Sequence, residues 1–340
     1  MGIRWMYLSF LGVLVFLASA VRAEFPGEDI DGLIEQGQRC TLSGEYAQAL
    51  AAFDEVSNLR PGHPAGSFYK AAVWERRMAD LQEACWESVF YALVDSAIAG
   101  GERLIQGGTE DPWVYAFVGA ACGLKGVYEA QQERWWTAFR DGWQGVKWLR
   151  EALGKAPDLC DAYVGMGTYL YWRGKMTHML TWLPFVRDER TEGIRLLEIA
   201  AARSRYSRDG ARCQLLWIFS EEGRFGEAME IGQELYAQYP KASIVAFGFA
   251  AALLGGGRLS QAEEVYSRTL RIYAGMDEPH PHAQECRWGL AKVYFQRGDM
   301  DTTETECRKI LEYSREGRNR WSDRKLRQVR RLLEEARRRR

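Results

Sequence analysis

Between Ala211 and Tyr266 two helical hairpins follow one another at a fixed offset, and this offset constrains the fold more than any other feature of the chain. Gly223 and Gly257 are 34 positions apart, as are the small residues Ala228 and Ala262. Each glycine is followed by a helix start, Arg224-Phe225-Gly226-Glu227-Ala228 in one case and Arg258-Leu259-Ser260-Gln261-Ala262 in the other. A hairpin of that size cannot bury its apolar face alone, so equivalent hairpins must stack into an array.

Near the N-terminus the same unit is written as Leu33-x-x-Gln36-Gly37-x-x-Cys40, then Gly44, Ala49-x-x-x-Phe53 and Pro61. This spacing resembles the tetratricopeptide repeat, although Leu33, Gln36 and Cys40 replace its usual Trp, Leu and Tyr. Gly37 and Ala49 carry little side chain, so two antiparallel helices can approach closely; Phe53 fills the gap beside them and Pro61 ends the second helix. One 34-residue step from Gly37 reaches Ala71. From there the period lengthens: Ala71, Gly119 and Gly167 are spaced by 48, and so are their second-helix counterparts Ala97, Gly145 and Gly193. Shorter repeats resume around Leu216, Ala250 and Ala291, the last delayed by an insertion at Asp277–His282.

The expected fold is therefore all-α: a right-handed superhelical solenoid of helix-turn-helix repeats with three enlarged central repeats and a C-terminal capping helix. The expected divisions are a signal peptide at 1–23, an N-terminal repeat at 28–65, enlarged repeats at 66–206, three further repeats at 207–314 and a basic helix at 315–340.

Each enlarged repeat gains 14 residues, in regions near 78–96, 126–144 and 174–192, through longer helices or a short extra helix at the hairpin tip. A tip that simply met water would be polar, but these are aromatic. The first holds Trp86, Phe90, Tyr91 and Val94; the second Trp135, Trp136, Phe139 and Trp143; the third Met176, Met179, Trp182 and Phe185 beside Pro184. Two readings follow: the tips pack on one another as a second small core, or they leave an apolar cleft for a ligand, a partner helix or a membrane surface. Trp135, Trp136, Trp143, Tyr163, Tyr169, Met179, Trp182 and Phe185 are accordingly the candidate binding residues.

The run Asp161-Ala162-Tyr163-Val164-Gly165-Met166-Gly167-Thr168-Tyr169-Leu170-Tyr171-Trp172, with the repeats that follow it, is similar to bacterial exported tetratricopeptide proteins distantly related to the tetratricopeptide repeat protein 39 group. The likeness spans about residues 60–275. It implies helical repeats and carries over no catalytic residue. A weaker similarity, to periplasmic repeat proteins that accompany tripartite transporters, would imply ligand or partner binding.

Arg4 precedes an apolar run from Trp5 to Leu17, and Val21-Arg22-Ala23 offers a cleavage site, so the N-terminus reads as an export signal and the compartment as the periplasm of a Gram-negative bacterium. An uncleaved anchor is the alternative reading, since Ala18 to Val21 extends the apolar stretch. Seven cysteines in an exported chain suggest disulfides. Their odd number and wide scatter argue instead for small buried hydrophobes. Residues 315–340 hold twelve basic and four acidic side chains, whereas the body is acidic. The spacing of Leu326, Val329, Leu333 and Ala336 makes this tail a capping helix, or alternatively an arm for anionic lipid headgroups.

Motifs for chemistry are sparse. Ser67-Phe68-Tyr69-Lys70 matches S-x-x-K without its companion motifs, and His280-Pro281-His282 reads as a solvated loop rather than a metal site. No cofactor, metal or catalytic residue is expected, and the export signal disfavours nucleic acid. The expectation is a non-catalytic exported scaffold for protein–protein interaction in the cell envelope, using a concave face where Tyr163, Tyr169, Leu215, Phe219 and Phe249 line the core or the groove. The alternative is a carrier of an apolar small molecule or lipid at the enlarged repeats.

Overall fold

The computed structural model describes residues 28–81, 85–177, 188–274, 280–315 and 321–340, and among these the chain is helix and turn throughout. Its helices pair in chain order into seven antiparallel hairpins. These are α1 (Glu28–Ser43) with α2 (Tyr46–Leu59), α3 (Pro64–Leu81) with α4 (Glu87–Gln106), α5 (Pro112–Gln131) with α6 (Trp135–Lys155), and α7 (Ala162–Thr177) with α8 (Arg190–Arg203). There follow α9 (Arg208–Glu221) with α10 (Phe225–Gln238), α11 (Ser243–Gly255) with α12 (Leu259–Ala274), and α13 (Pro281–Arg297) with α14 (Met300–Arg315). A single helix, α15 (Asp323–Arg339), closes the array. This is an all-α helical-repeat solenoid. The export signal read at 1–23 lies outside the described residues.

The turns follow from backbone chemistry. Gly223 and Gly257 adopt φ of 74°, a region glycine enters without steric cost. The amides of Arg224 and Arg258 can then donate back to the carbonyls of Phe219 and Leu253 at 2.8 Å, satisfying groups that a helix end leaves without partners. Enlargement takes the form of longer helices in the first two enlarged repeats: α3 to α6 run to 18, 20, 20 and 21 residues, against 14 each for α9 and α10. In the third, residues 178–187 lie outside the described residues.

Long helices must keep close contact over more turns, and glycine pairs allow it. A Cβ on Gly145 would sit 2.7 Å from the Gly119 carbonyl oxygen, and one on Gly193 would sit 2.7 Å from that of Gly167. At these crossings backbone lies against backbone.

The first helix of its hairpin, α5, which in an open array would line a groove, faces a filled interior. In α5 the six consecutive residues Trp113 to Val118 are all buried, so this helix is covered on every side. Trp113 packs on Tyr206 at 5.4 Å between ring centres, and Tyr206 in turn donates its hydroxyl to Asp31 of α1. The N-terminal hairpin thus lies inside the curve of the solenoid. Leu215, Phe219 and Phe249 are buried in the apolar core, while Tyr163 and Tyr169 are half-buried.

A polar hub locks the closure. Asp80, near the end of α3, accepts hydrogen bonds from Tyr46 on α2 and from Arg76, and from the Ser243 hydroxyl on α11 at 2.7 Å; its Oδ1 also lies 3.2 Å from His282 Nε2 on α13. Burial opposes ionisation of Asp80, but the contacts with His282, Arg76 and Tyr46 outweigh it and hold the carboxyl well below the usual carboxylate range. His280-Pro281-His282 is therefore not a solvated loop. Pro281 starts α13, His282 is buried, and His280 stacks on Tyr273 at 4.3 Å. Among the described residues no group of His, Cys, Asp and Glu is arranged to hold a metal ion.

Two imidazoles make the fold acid-sensitive. Burial, with Arg60 nearby, pushes His63 down to about 4, and burial, with His282 nearby, pushes His280 down to about 4. An unfolded histidine takes up its proton near ~6.5, so the unfolded state binds more protons below that value. The stabilisation is complete above that pH and declines as pH falls toward the folded value. The expected loss is about 2 kcal/mol per histidine, allowing for partial solvent screening. Urea midpoints measured from about pH 7.5 to about pH 5 should fall, and His63→Gln with His280→Gln should flatten the curve. A flat wild-type profile in that window would contradict this.

The basic tail is seated as a cap. Leu326, Val329 and Leu333 pack with Ala291, Cys307 and Ile310, while Arg337 and Arg340 pair with Glu304 and Asp301 of α14 at 3.0 and 2.9 Å. Six of the seven cysteines are buried and Cys85 is exposed. Burial pushes the Cys122, Cys213 and Cys307 thiols up to about 12, which suits packing rather than thiol chemistry.

Candidate functional site

The three aromatic tips do not share one fate. In the first enlarged repeat Phe90 and Val94 are buried with Met78 and Tyr128, and Trp86 packs on Trp74 at 4.7 Å. A second small core is what that tip forms. In the next repeat the aromatic side chains face outward: Trp136 is 82% exposed, Trp135 51%, Phe139 48% and Trp143 37%.

The cause lies in the periodicity of α6. Gly142, Gly145, Val146, Leu149 and Ala152 are its buried residues. Gly145 meets α5, and a Cβ on Gly142 would sit 2.9 Å from the Tyr169 ring of α7. Trp136, Arg140, Trp143, Lys147 and Arg150 recur at three- and four-residue intervals along the exposed side, with Trp135 and Phe139 beside them. This stripe carries four aromatic rings and three cations and no carboxylate. Arg140 pairs with Asp141 at 2.8 Å. Lys147 and Arg150 each lie 5.8 Å from the Trp143 ring, and no carboxylate pairs with either among the described residues. The rings thus form an apolar surface next to two cations, Lys147 and Arg150, that pair with no carboxylate among the described residues.

On α7, Tyr169 borders this surface, its ring 6.1 Å from Phe139 and beneath Arg173 at 5.2 Å. Burial raises the Tyr169 phenol above its usual range, so it remains a neutral hydroxyl. Trp172 and Met176 are also exposed on α7, at 42% and 57%; Trp172 precedes the third tip in sequence and so escapes a count of aromatic residues confined to the tips. Tyr163 lies apart: it opens α7, and its hydroxyl donates to the Pro157 carbonyl at 3.3 Å. Met179, Trp182 and Phe185 lie outside the described residues. Of the eight candidates, Trp135, Trp136, Trp143 and Tyr169 fall on or beside one surface.

Ser67 and Lys70 do not form a nucleophile and base. Lys70 pairs with Asp54 of α2 at 2.9 Å, while the Ser67 hydroxyl lies 3.4 Å from that of Ser96 on α4.

Comparison with known proteins places part of this architecture. Residues 220–279, which hold α10, α11 and α12, match the tetratricopeptide repeat model. This segment carries tetratricopeptide repeat sequence. Similar solved structures include a thermophilic repeat protein of Thermus thermophilus (19% identity, 66% of this chain and 99% of that one, TM-score 0.40). A second is a tetratricopeptide repeat protein from Parabacteroides merdae (14% identity, 90% and 99%, TM-score 0.37). A third is the human IFIT1 dimer with PPP-AAAA (14% identity, 86% and 68%, TM-score 0.45). No curated protein matches the sequence, and the expected similarity to the tetratricopeptide repeat protein 39 group finds no support in these comparisons. The tetratricopeptide repeat match suggests a protein–protein interaction scaffold.

Proposed function

We propose that this scaffold works in the bacterial cell envelope and docks a protein partner on the outward stripe of α6, without catalysis. The observation that carries the reading is the exposed quartet Trp135, Trp136, Phe139 and Trp143 beside Lys147 and Arg150. Exposed tryptophans of this kind are the residue type that dominates binding energy in protein interfaces, and cations without carboxylate partners favour an acidic rim on the partner. Beside α5 the interior of the curve is filled by α1 and its contacts, which leaves the outward stripe of α6 for docking. The apolar run Trp5 to Leu17 supports export to the envelope.

The test is a capture experiment from envelope extract with the protein lacking residues 1–23. Trp136→Ala with Phe139→Ala should weaken retention of the partner by roughly thirtyfold or more, as truncation of a central aromatic anchor does at about 2 kcal/mol. Because Trp136 is 82% exposed, the melting temperature should barely move. A partner retained equally by the double variant would rule the α6 stripe out as the docking surface.

A further inference from the structure

On the inner side of the last repeats, away from the α6 stripe, α9, α11, α12, α13 and α15 line an open pocket of about 380 Å³. Trp217, Phe247, Tyr266 and Trp288 supply aromatic walls, with Ala251 on one side. These walls are held in place. The Trp217 indole donates to the Ile244 carbonyl at 3.2 Å, and Tyr266 reaches the pocket because Gly289 has no side chain: a Cβ there would lie 2.3 Å from the ring.

Three charges line the same space, and they do not balance. Lys325 of α15 pairs with Glu285 of α13, so those two offset each other. Lys292 makes no close ion pair among the described residues, Glu285 acting on it only at longer range while bound to Lys325; its ammonium rests over the Trp288 ring at 5.4 Å. Burial lowers the Lys292 amine from its ordinary value, the physical signature of a cation held in a place that does not fully solvate it. A half-buried charge of this kind favours a counter-ion, and the surrounding rings favour a flat apolar body. The volume lies in the range of small-molecule sites.

We infer that this pocket is a binding site for a small planar aromatic carboxylate, its ring system stacked among Trp217, Phe247 and Trp288 and its carboxylate paired with the Lys292 ammonium. The site is independent of docking at α6. Its ligand would also tie α15 to α11 and α13, because Lys325 and Glu285 form part of the rim.

The experiment uses three probes of one ring system: 2-naphthoate, 2-naphthalenemethanol and 2-naphthylmethylamine, titrated calorimetrically into the protein lacking residues 1–23. The naphthoate should bind at one site roughly tenfold or more tightly than the alcohol, and the amine should bind weakest. Lys292→Met should abolish the preference for naphthoate over the alcohol, while Lys292→Arg should keep it. Ala251→Leu should fill the pocket and weaken all three probes, with melting curves confirming that each variant folds. The assignment is overturned if no probe binds, if naphthoate and alcohol bind alike to the parent, or if Ala251→Leu leaves naphthoate binding intact. Loss of the α6 partner interaction in the earlier test would leave these outcomes unchanged, so the two readings fail separately.

Discussion

Gly193→Leu should cost more than about 3 kcal/mol of stability, and even Gly193→Ala should cost about 2 kcal/mol, because overpacking here meets backbone. Overpacking a well-filled core typically costs about 1–3 kcal/mol when neighbouring side chains can move aside. Here they cannot. The nearest atoms to a Cβ on Gly193 are the Tyr171 amide nitrogen at 2.6 Å and the Gly167 carbonyl oxygen at 2.7 Å, both backbone. Relief therefore requires α7 and α8 to separate, which uncovers Leu197 and Tyr171. Gly145 stands in the same position between α5 and α6, with the Gly119 carbonyl oxygen at 2.7 Å and the Gly123 nitrogen at 3.0 Å. An internal control has the opposite sign. Gly154, also in α6, has nothing within 4 Å of its would-be Cβ, so Gly154→Ala should stabilise by about 0.5–1 kcal/mol through helix propensity. Chemical denaturation of the three variants checks the set; equal effects at 154 and 193 would refute the close-approach argument.

Those glycine pairs also mark how far the sequence is legible. The 48-residue spacing of Gly119 and Gly167, and of Gly145 and Gly193, reflects where two backbones must touch, and such contacts are local to one hairpin. Short-range contacts leave a period in the sequence. The closure of the solenoid does not, because it depends on single residues far apart: Asp80 meets Ser243 and His282 across separations of 163 and 202 residues. Nothing about an aspartate at the end of one helix announces that partner. The histidines mislead for the same reason: a Pro-flanked pair looks like a loop until Tyr273, Phe247 and Asp80 arrive from other repeats to pack on it.

The aromatic tips show a subtler limit. Composition marks both Trp86 and Trp136 as apolar residues in lengthened hairpins, yet Trp86 packs on Trp74 while Trp136 stands in solvent. Whether a tip is covered depends on the helix face that its neighbours happen to meet. In α6 the glycines at 142 and 145 turn that face toward α7 and α5, and Trp136 is carried outward. The inner pocket around Lys292 is invisible in the sequence as well, because its walls come from five helices far apart in the chain.

Removing the Asp80 carboxylate should open the closed solenoid. Asp80→Ala leaves the Arg76 guanidinium, which is only 19% exposed, without its main partner, and takes acceptors from Tyr46 and Ser243. Breaking one half of a buried ion pair costs about 3–5 kcal/mol. Asp80→Asn keeps the shape and an acceptor oxygen but not the charge, so it should cost less, about 2 kcal/mol. The carboxyl is held below its unfolded range, so its contribution is complete above the ordinary carboxylate range and is lost as pH falls through the depressed folded value. Asp80→Asn should therefore remove the most acidic part of the stability profile while leaving the histidine-dependent part near neutral pH in place. Because the hub joins α2 and α3 to α11 and α13, the damage should concentrate there: amide exchange should accelerate at the start of α13 and the end of α3, and the radius of gyration should rise. Arg76→Leu combined with Asp80→Leu separates charge from contact. If the pair acts mainly by avoiding an uncompensated buried charge, the double variant recovers most of the loss seen in Asp80→Ala; if it acts as the latch of the closure, stability returns but the expanded radius persists. An Asp80→Ala protein with unchanged stability and unchanged radius would mean that the apolar contacts of α1 alone hold the ends together.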